Sequence, residues 1–339
     1  MPTLRRASGS LFGMAFGDAL AAPCEFLGVD EILARYPPAG REQPEGEPAR
    51  VTDDTQMALA VGEALMQTPV PYTPEQLERR LRQTFVAWLH DPENNRAPGH
   101  TCLTACHKLE CGLPWQQATV ISSKGCGANM RVAPVGLLPG GRRGIGESTR
   151  AAIAQFQAAL THGHPTALAA SDLTARTIAE LVAGCAPGDL PARLRGYALE
   201  QRGIYHADWL GDLWQRSEMP SPEDYIARGW DECLAVLDRL EAALCSPDRE
   251  ADPCLATGAG WVAEEAFATG LLCFLLFPDD PLAALRRAAV TSGDSDSIAC
   301  LTGAFAGAAH GFAAWPKEWI KRIEYAGRLA MLGSLWDYN

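Results

Sequence analysis

The segment ACLTGAFAGAAHG, residues Ala299–Gly311, decides the fold class. Ile298, Leu301 and Phe305 recur here at the three- and four-residue spacing of a helix, and the positions between them are mostly glycine and alanine. Small residues let the backbone of a neighbouring helix approach closely. We therefore expect this segment to form a helix in the core of a compact helical protein.

The same periodicity extends outward over most of the chain. Apolar residues repeat at helical spacing in further runs, which cover 12–22, 57–65, 77–89, 173–181 and 230–244. Alternating strand patterns of useful length are hard to find, so we predict an all-α fold, a compact orthogonal multi-helix bundle. The stretches Arg35–Arg50 and Lys124–Gly146 are rich in proline and glycine and are predicted loops. We predict one domain over residues 1–339, with residues 187–222 as a candidate peripheral insertion.

Composition argues against several classes of protein. The 339 residues carry a formal net charge of −12, which disfavours non-specific nucleic-acid binding and attachment to a membrane surface. The longest strongly apolar run, Leu271–Phe277, is far shorter than the roughly twenty residues of a bilayer span, and no secretory leader is evident. The 11 cysteines are odd in number and include no Cys-x-x-Cys pair, which favours reduced thiols. We expect a cytoplasmic protein, with a monomer as the default.

Two short acidic motifs each stand directly before a predicted core helix. They are Thr52–Thr55 (TDDT) and Gly293–Ser297 (GDSDS). Taken singly, each is typical of a capped helix start, because hydroxyl side chains cap helices and carboxylates favour the first turn. If the two helices are neighbours, four carboxylates meet in one place and repel one another unless a cation binds. Oxygen ligands favour Mg²⁺ or Mn²⁺ over zinc, and the number of carboxylates favours two ions.

Two further motifs contain candidate functional residues. The motif GMAFGDALAAPCE, residues 13–25, places Glu25 just past the proline that ends the first helix, where it is either a further acidic group of the site or a surface residue. Asp18 lies within that helix and is predicted to bind backbone at a neighbouring helix end. In SKGCGANMR, residues 123–131, the glycines would let backbone N–H groups approach a phosphate with Arg131 nearby, although an irregular turn explains them as well.

A group of histidines and cysteines in the segment 100–111 offers candidate ligands for a competing zinc site. The group consists of His100, Cys102, Cys106, His107 and Cys111. Four residues is about one helical turn, so Cys102 and Cys106 share one face of a helix, while His107 and Cys111 share another. Because a structural zinc site needs four converging ligands, we do not predict one here.

The four motifs, in this order, resemble those of the ADP-ribosylglycohydrolase family. The family's motifs read roughly G-x-x-x-G-D-A-x-G-x-P-x-E, T-D-D-T, G-x-x-M-R-x-x-P-x-G and G-D-x-D-T. The corresponding segments here are GMAFGDALAAPCE, TDDT, GANMRVAPVG and GDSDS. The resemblance runs from about residue 9 to residue 311. It implies an all-α fold with a dinuclear Mg²⁺ or Mn²⁺ centre in a cleft.

Carried over position by position, the resemblance implies one set of metal ligands and one set of substrate contacts. The metal ligands would be Thr52, Asp53, Asp54, Asp294, Asp296 and Ser297. The catalytic residues would be Glu25, Asp53 and Asp296, with Glu25 as a ligand, a gate or part of the acid–base machinery beside the substrate. The residues Gly125, Gly127, Asn129, Met130, Arg131 and His162 would bind ADP-ribose.

The resemblance implies a hydrolase that cleaves the glycosidic bond between ADP-ribose and an acceptor, with protein arginine as the expected acceptor. Two alternatives stay open: a catalytically silent ADP-ribose-binding protein of the same fold, and a dimetal nucleotide phosphohydrolase. The sequence departs from the family pattern at Ser297, where threonine is usual. Arginine-specific members also tend to carry an aspartate before the glycine that corresponds to Gly99. Here Pro98 stands in that place, with Asp91 and Glu93 as candidate substitutes.

Overall fold

The computed structural model describes residues 4–140 and 144–337. Within these ranges the helices are α1 (Arg6–Ala21), α2 (Val29–Arg35), α3 (Asp53–Gln67), α4 (Pro74–Leu89), α5 (His100–Glu110), α6 (Trp115–Ala118), α7 (Ala133–Gly136), α8 (Glu147–Ala159), α9 (Pro165–Val182), α10 (Leu190–Gln201), α11 (Ala207–Leu210), α12 (Pro222–Cys245), α13 (Cys254–Thr257), α14 (Ala263–Leu276), α15 (Pro281–Ala288), α16 (Ser295–His310), α17 (Lys317–Arg322) and α18 (Ala326–Asp337). Isolated bridges are the only extended pairing in this part of the chain. The all-α prediction is confirmed. The predicted loop Lys124–Gly146 includes residues 141–143, which lie outside the described residues.

The two helices rich in small residues, α1 and α16, pack directly against each other. A Cβ atom at Gly17 would lie 1.9 Å from the carbonyl oxygen of Ala299. A Cβ atom at Gly13 would lie 2.2 Å from that of Gly303. Because the residue numbers rise along α1 while those of its partners fall along α16, the helices run antiparallel. Any larger side chain at these positions would push the backbones apart, so the close approach itself requires glycine.

This antiparallel contact sets the C-terminal end of α1 beside the N-terminal end of α16. Glu25 follows α1 after the short 3₁₀ turn Ala22–Cys24, and Asp294 is the N-cap residue of α16. Two acidic segments from opposite ends of the chain therefore become neighbours. The helix α3, which begins with the other acidic motif, contacts both α1 and α16.

Charged side chains supply hydrogen-bond partners for backbone groups at the N-terminal end of α1 and the C-terminal end of α16. Nη1 of Arg6 donates to the carbonyl oxygen of Ala308, in the last turn of α16, at 2.8 Å. Asp337 accepts hydrogen bonds from the backbone N–H groups of Ala7 at 2.9 Å and Ser8 at 3.1 Å, in the first turn of α1. Such terminal groups have no partner within their own helix, so these contacts fix α1 and α16 at the end away from the acidic segments.

One large hydrophobic core draws residues from both ends of the chain, from α1 to α18, while the buried residue of α2, Ile32, packs in a separate small cluster with Cys24 and Val290. The segment 187–222 contributes Leu190, Leu194 and Leu213 to this core, all fully buried. Among the described residues, no single helix is long and apolar enough to cross a membrane. Only α1 and α2 taken together, with a bend of 91° between them, meet such a criterion by length and composition.

Candidate active site

The TDDT motif begins α3, and Asp18 of α1 holds this helix start in place. The carboxylate of Asp18 accepts the backbone N–H groups of Thr52 at 2.9 Å and Thr55 at 3.2 Å, and the hydroxyl of Thr55 at 2.5 Å. The hydroxyl of Thr52 caps α3 by accepting the N–H of Asp54 at 3.3 Å. The predicted role of Asp18 is confirmed. Because these groups satisfy the helix start, the side chains of Asp53 and Asp54 are not needed as caps.

The GDSDS motif is held against the loop that precedes α14. A Cβ atom at Gly293 would lie 1.8 Å from the carbonyl oxygen of Ala259, so only glycine fits there. The N–H of Asp294 donates to the same oxygen at 2.8 Å. One turn on, the N–H of Ser297 donates to Oδ1 of Asp296 at 3.1 Å. The motif is therefore fixed by its backbone, with both carboxylates at the N-terminal end of α16.

The segments carrying these motifs enclose a cleft of about 350 Å³. Its walls are formed by Glu25, Phe26, Asp53, Asp54, the segment 97–102, Gly125, Cys126, Gly127, Met130, His162, Trp261, Asp294, Asp296 and Ser297. The structure therefore brings together most of the predicted site. One ligand oxygen from each of Glu25, Asp294 and Asp296 lies within 4.8 Å of the others. Thr52 is buried beside Asp53 and lines a second, adjoining cavity that also contains Glu25.

Burial raises the pKa of each carboxyl group in this acidic cluster. The pKa of Glu25 rises to about 8, because the group is largely removed from solvent and the charges of Asp296 and Asp53 lie nearby. The pKa of Asp53 rises to about 7, again mainly through burial. The pKa values of Asp54 and Asp294 lie well above the usual range for the same reason, with repulsion from Asp296 next in size. A bound cation would remove this repulsion.

The donor set fits a hard divalent cation. Oδ2 of Asp54 is buried and has no hydrogen-bond partner within the described residues. Such an oxygen is costly without a compensating donor or cation. Carboxylate and hydroxyl oxygens from Asp53, Asp294 and Ser297 surround the same cleft. Oxygen ligands of this kind suit Mg²⁺ or Mn²⁺.

The glycine-rich loop around Gly125–Gly127 forms another wall of the cleft, and hydrogen bonds to the segment before α14 fix its backbone. The N–H of Cys126 donates to the carbonyl oxygen of Trp261 at 3.1 Å, and the N–H of Ala263 donates to that of Lys124 at 2.9 Å. The ammonium group of Lys124 points away from the cleft and donates to the buried carboxylate of Glu264. Backbone pairing and an ion pair thus fix the position of the loop.

Arg131 and Asn129 do not face the cleft, which corrects the prediction that they contact substrate. Arg131 is fully buried beneath the loop. Its Nε donates to Oε1 of Gln157 at 2.8 Å, its Nη2 donates to the hydroxyl of Thr161 at 2.8 Å, and its guanidinium lies 4.5 Å from the ring centre of Phe85. Asn129, also fully buried, donates to a backbone carbonyl of α14 at 3.1 Å. The turn directs both side chains into the core, where these partners hold them, although Oδ1 of Asn129 has no hydrogen-bond partner among the described residues.

Two other substrate-site candidates do line the cleft. Met130 is one of them, and His162 is the other. Nδ1 of His162 lies 2.8 Å from the hydroxyl of Thr161, which also accepts a hydrogen bond from Arg131. Burial, and then the charge of Arg131, lower the pKa of His162 to about 3, so the ring is neutral near pH 7. The hydroxyl of Thr161 thus connects the buried arginine to a ring that lines the cleft.

Phe26 and Trp261 form a stacked pair at the mouth of the cleft. Their ring centres are 5.4 Å apart, with an angle of 14° between the ring planes. Phe26 is 68% exposed and Trp261 is 42% exposed, which is unusual for large aromatic side chains. The sequence offered no signal for Phe26, because its role depends on a partner that is distant in the chain.

The segment 91–101 supplies backbone rather than a carboxylate to the cleft. The N–H of Gly99 donates to Oδ2 of Asp53 at 3.1 Å. Neither candidate substitute for the missing aspartate lines the cleft: Asp91 accepts the N–H of Glu93 at 2.9 Å, and Glu93 binds Arg50 at 2.6 Å. The expectation that one of them substitutes is therefore corrected, because local turn and ion-pair contacts hold both elsewhere.

The competing zinc ligands are separated as their helical spacing predicted. Cys102 and Cys106 are buried in the core, whereas His107 and Cys111 are exposed. In the described part of the chain, the one group of potential metal ligands that converges is the acidic group of Glu25 and the GDSDS motif.

Comparison with known proteins agrees with this geometry. The sequence model of one protein family, described as ADP-ribosylglycohydrolase, matches residues 1–338. The chain belongs to the ADP-ribosylglycohydrolase family. Members of this family are hydrolases that act on glycosidic bonds of ADP-ribose.

Two curated relatives have names that refer to hydrolysis of ADP-ribosyl groups. The chain is 26% identical over 349 residues to ADP-ribosylarginine hydrolase Tri1 of Serratia proteamaculans, with 99% of this chain and 80% of that protein covered. It is 30% identical over 187 residues to ADP-ribosyl-[dinitrogen reductase] glycohydrolase of Rhodospirillum rubrum, with 53% of this chain and 58% of that protein covered. The alignment with the second relative thus spans little more than half of either chain.

The fold of the ADP-ribosylglycohydrolase family is also found among solved structures. A chain described as an ADP-ribosylglycohydrolase-related protein complex superposes with a TM-score of 0.69, and the match covers 100% of this chain and 99% of that one. The sequence identity is 23%, so this likeness concerns the fold alone.

Proposed function

We propose that this chain is a metal-dependent ADP-ribosylhydrolase that binds two divalent ions, Mg²⁺ or Mn²⁺, and releases ADP-ribose from protein arginine. The observation that carries the proposal is the convergence of five carboxyl groups on one cleft, with Oδ2 of Asp54 buried and without a hydrogen-bond partner among the described residues. The arginine acceptor is supported by the name of the Serratia relative. A cytoplasmic location, a monomeric state and a single domain stay predictions.

The residues that would hold the ions are those at the two helix starts. They are Asp53 and Asp54 with Thr52 on α3, and Asp294 and Asp296 with Ser297 on α16. When bound, the ions supply positive charge that orients the ribose hydroxyls and lowers the pKa of a nearby water. The carboxylates around them stabilise the positive charge that develops on the ribose as the glycosidic bond breaks.

Other residues would bind the substrate and move its protons. Glu25 is half-buried at the edge of the acidic cluster, where its carboxyl group would hold or move a proton of the substrate. Gly125 and Gly127 leave room for the diphosphate to approach the backbone, and the neutral ring of His162 stands behind them. Trp261 offers an exposed ring face at the mouth.

The deciding experiment is hydrolysis of an ADP-ribosyl-arginine substrate with Mg²⁺, with Mn²⁺ and with EDTA, with chromatography of the products. Release of ADP-ribose that depends on the metal is the expected result. Binding of ADP-ribose without turnover of this substrate would contradict the arginine acceptor. AMP and ribose phosphate as products would identify a phosphohydrolase, and binding without turnover of any ADP-ribosylated acceptor would identify a silent binding protein.

A further inference from the structure

A second cavity, of about 490 Å³, adjoins the cleft at Glu25. Its walls come from the end of α1, from the loop between α2 and α3, and from the segment that precedes α5. Glu25 and Ala97 line both cavities, whereas Gly125, Gly127 and Trp261 line the cleft alone. The two cavities therefore meet at Glu25 and Ala97.

Under the proposed function, the glycosidic bond lies where the two cavities meet. The glycine-rich loop and Trp261 would bind the diphosphate and the base in the cleft, and the acidic cluster would hold the ribose beside Glu25. The acceptor is joined to the ribose at the bond that breaks, so it would extend past Glu25, away from the glycine-rich loop. The second cavity begins at this point, and its volume lies within the range of roughly 300–1,000 Å³ that is usual for ligand pockets.

The charged groups of the two cavities differ in sign. Five carboxyl groups line the cleft, and within residues 4–140 and 144–337 no lysine or arginine lines it. The second cavity is lined by Arg41, Arg50 and Arg96 and by two acidic residues, Glu25 and Glu45. A modified arginine is itself a cation, so these guanidinium groups would repel an acceptor that brought no other charge. Carboxylates beside the modified residue would instead be attracted.

Arg41 is buried and is held in place by the end of α1. Its Nη1 donates to the carbonyl oxygen of Leu20 at 3.0 Å, in the last turn of that helix. Its Nη2 lies 3.2 Å from Oε2 of Glu45, whose side chain is 68% exposed. An ion pair with such an exposed partner contributes little to stability. A carboxylate of a bound acceptor can therefore replace Glu45 at small cost.

Arg50 and Arg96 share one carboxylate oxygen. Oε2 of Glu93 accepts a hydrogen bond from Nη2 of Arg50 at 2.6 Å and another from Nη2 of Arg96 at 2.5 Å. Arg96 is half-buried and also donates to Oε1 of Glu324 at 2.9 Å, which fixes its position. The side chain of Arg50 is 56% exposed, so it has room to turn toward an acceptor and leave Glu93 to Arg96.

We propose that the second cavity is the acceptor-binding site and that it selects polypeptides in which acidic side chains flank the modified residue. Arg41 binds one carboxylate from a fixed position, and Arg50 turns to bind another. The inference rests on the proposed function, because the cavity receives an acceptor only if the glycosidic bond is broken beside Glu25.

Three synthetic peptides that differ only beside one ADP-ribosylated arginine test this selectivity. The modified residue is flanked on both sides by glutamate, by glutamine or by lysine, and hydrolysis is measured with Mn²⁺. We expect KM to be ~10-fold lower for the glutamate peptide than for the glutamine peptide, the size of one charge-assisted hydrogen bond, and highest for the lysine peptide. The value of kcat should change little, because these contacts lie away from the bond that breaks. Equal KM values would overturn the inference.

Two substitutions should shift the preference for the glutamate peptide in opposite directions. Arg50→Gln removes a cation from the cavity and should lower the preference about 3-fold, the size of an exposed charge pair. Glu45→Gln removes the carboxylate that competes for Arg41 and should raise it. Arg79→Gln, at an exposed position of α4 that lines neither cavity, is the matched control and should leave it unchanged. A shift in the same direction for both cavity variants would contradict the proposed roles.

A binding measurement tests the separation of the two cavities without turnover. The unmodified glutamate peptide, which is the acceptor product, is titrated calorimetrically into the unaltered protein with and without saturating ADP-ribose. We expect the peptide to bind in both cases, because ADP-ribose occupies the cleft and leaves the second cavity open. Its affinity should fall as the NaCl concentration rises, since salt screens the charges. Absence of peptide binding, or its loss when ADP-ribose is bound, would overturn the assignment of the cavity.

The outcomes separate this inference from the proposed function. Hydrolysis of all three peptides with equal KM values would leave the hydrolase activity in place and remove the acidic preference. If neither the peptides nor free ADP-ribosyl-arginine is hydrolysed, the arginine acceptor of the proposed function is contradicted. The calorimetric titration then still tests whether the second cavity binds an acidic polypeptide.

Discussion

The carboxylate of Asp18, in the last turn of α1, accepts a hydrogen bond of 2.5 Å from the hydroxyl of Thr55, in the first turn of α3. It also accepts the backbone N–H of Thr55 at 3.2 Å. Asp18 therefore fixes the helix start that carries Asp53 and Asp54, although it does not itself line the cleft. The geometry of the acidic cluster depends on a residue behind it.

We expect Asp18→Asn to weaken both the fold and the metal site. An amide cannot accept all the hydrogen bonds that reach Asp18, so the free energy of unfolding should fall by about 2–3 kcal/mol. The affinity for Mn²⁺ should fall ~10-fold, because Asp53 and Asp54 lose their support. Denaturant unfolding and a Mn²⁺ titration measure the two effects. The exposed Asp30→Asn serves as the control, and equal behaviour of the two variants would contradict this role.

Loss of a carboxylate from either helix start should remove metal and activity together. Asp53→Ala and Asp296→Ala are each expected to lower turnover of an ADP-ribosylated substrate on the order of 10²-fold or more, as the loss of a key electrostatic group does. Metal content after dialysis should fall in parallel. The exposed Glu75→Gln, in the first turn of α4, should change neither. Full activity in either alanine variant would refute the assignment of the site.

Stability without metal should decrease as the pH rises. The pKa values of Glu25 and Asp53, about 8 and about 7, exceed their ordinary values of 4.5 and 3.8. The folded chain therefore binds more protons than the unfolded chain between these values. The resulting stabilisation is complete below about pH 4 and is lost as the pH rises through 7 to 8.

Divalent ions should replace these protons, so their stabilising effect should grow over the same interval. We expect Mn²⁺ to raise Tm more at pH 8 than at pH 6, whereas EDTA-treated protein should have the lower Tm at pH 8. Asp54→Asn should raise the Tm of the EDTA-treated protein at pH 8 by relieving repulsion. An equal Mn²⁺-induced shift at the two pH values would argue against the prediction.

The two loop glycines should differ in their tolerance of a methyl group. A Cβ atom at Gly127 would lie 3.0 Å from Sγ of Cys102 and 3.2 Å from Cε1 of His162, whereas one at Gly125 would come no closer than 3.4 Å to any atom. Overpacking costs about 1–3 kcal/mol, so Gly127→Ala should raise KM at least ~10-fold by displacing His162. Gly125→Ala is the matched comparison and should raise KM less, because its Cβ would crowd only the approach of the diphosphate and no protein atom closer than 3.4 Å. Similar KM values would show that the His162 contact is unimportant.

The exposed ring of Trp261 should contribute to nucleotide binding. Stacking of a base on an aromatic ring is worth about 1–3 kcal/mol, so Trp261→Ala should weaken ADP-ribose binding ~10-fold in a calorimetric titration. Trp261→Phe should restore most of the affinity, because it keeps a ring beside Phe26. An unchanged Kd for the alanine variant would place the base elsewhere.

The helices and the two acidic motifs could be predicted because their signals are local. The spacing of Leu301 and Phe305 and the capping chemistry of TDDT act within a few residues, so neither needs knowledge of the rest of the chain. The role of Asp18 was predictable for a related reason: a carboxylate inside a buried helix needs hydrogen-bond donors, and a neighbouring helix start supplies them.

The direction in which side chains point could not be predicted from such local signals. Arg131 and Gly127 stand four residues apart in one glycine-rich segment, yet the first is buried against Phe85 and the second lines the cleft. Their different surroundings come from contacts with residues distant in sequence. Likewise, only the antiparallel packing of α1 on α16 sets Glu25 beside Asp296, and only the pairing of both the glycine-rich loop and Asp294 with the segment before α14 sets Cys126 beside Asp294. Such contacts depend on how elements distant in the chain pack, and not on the residues that flank each one.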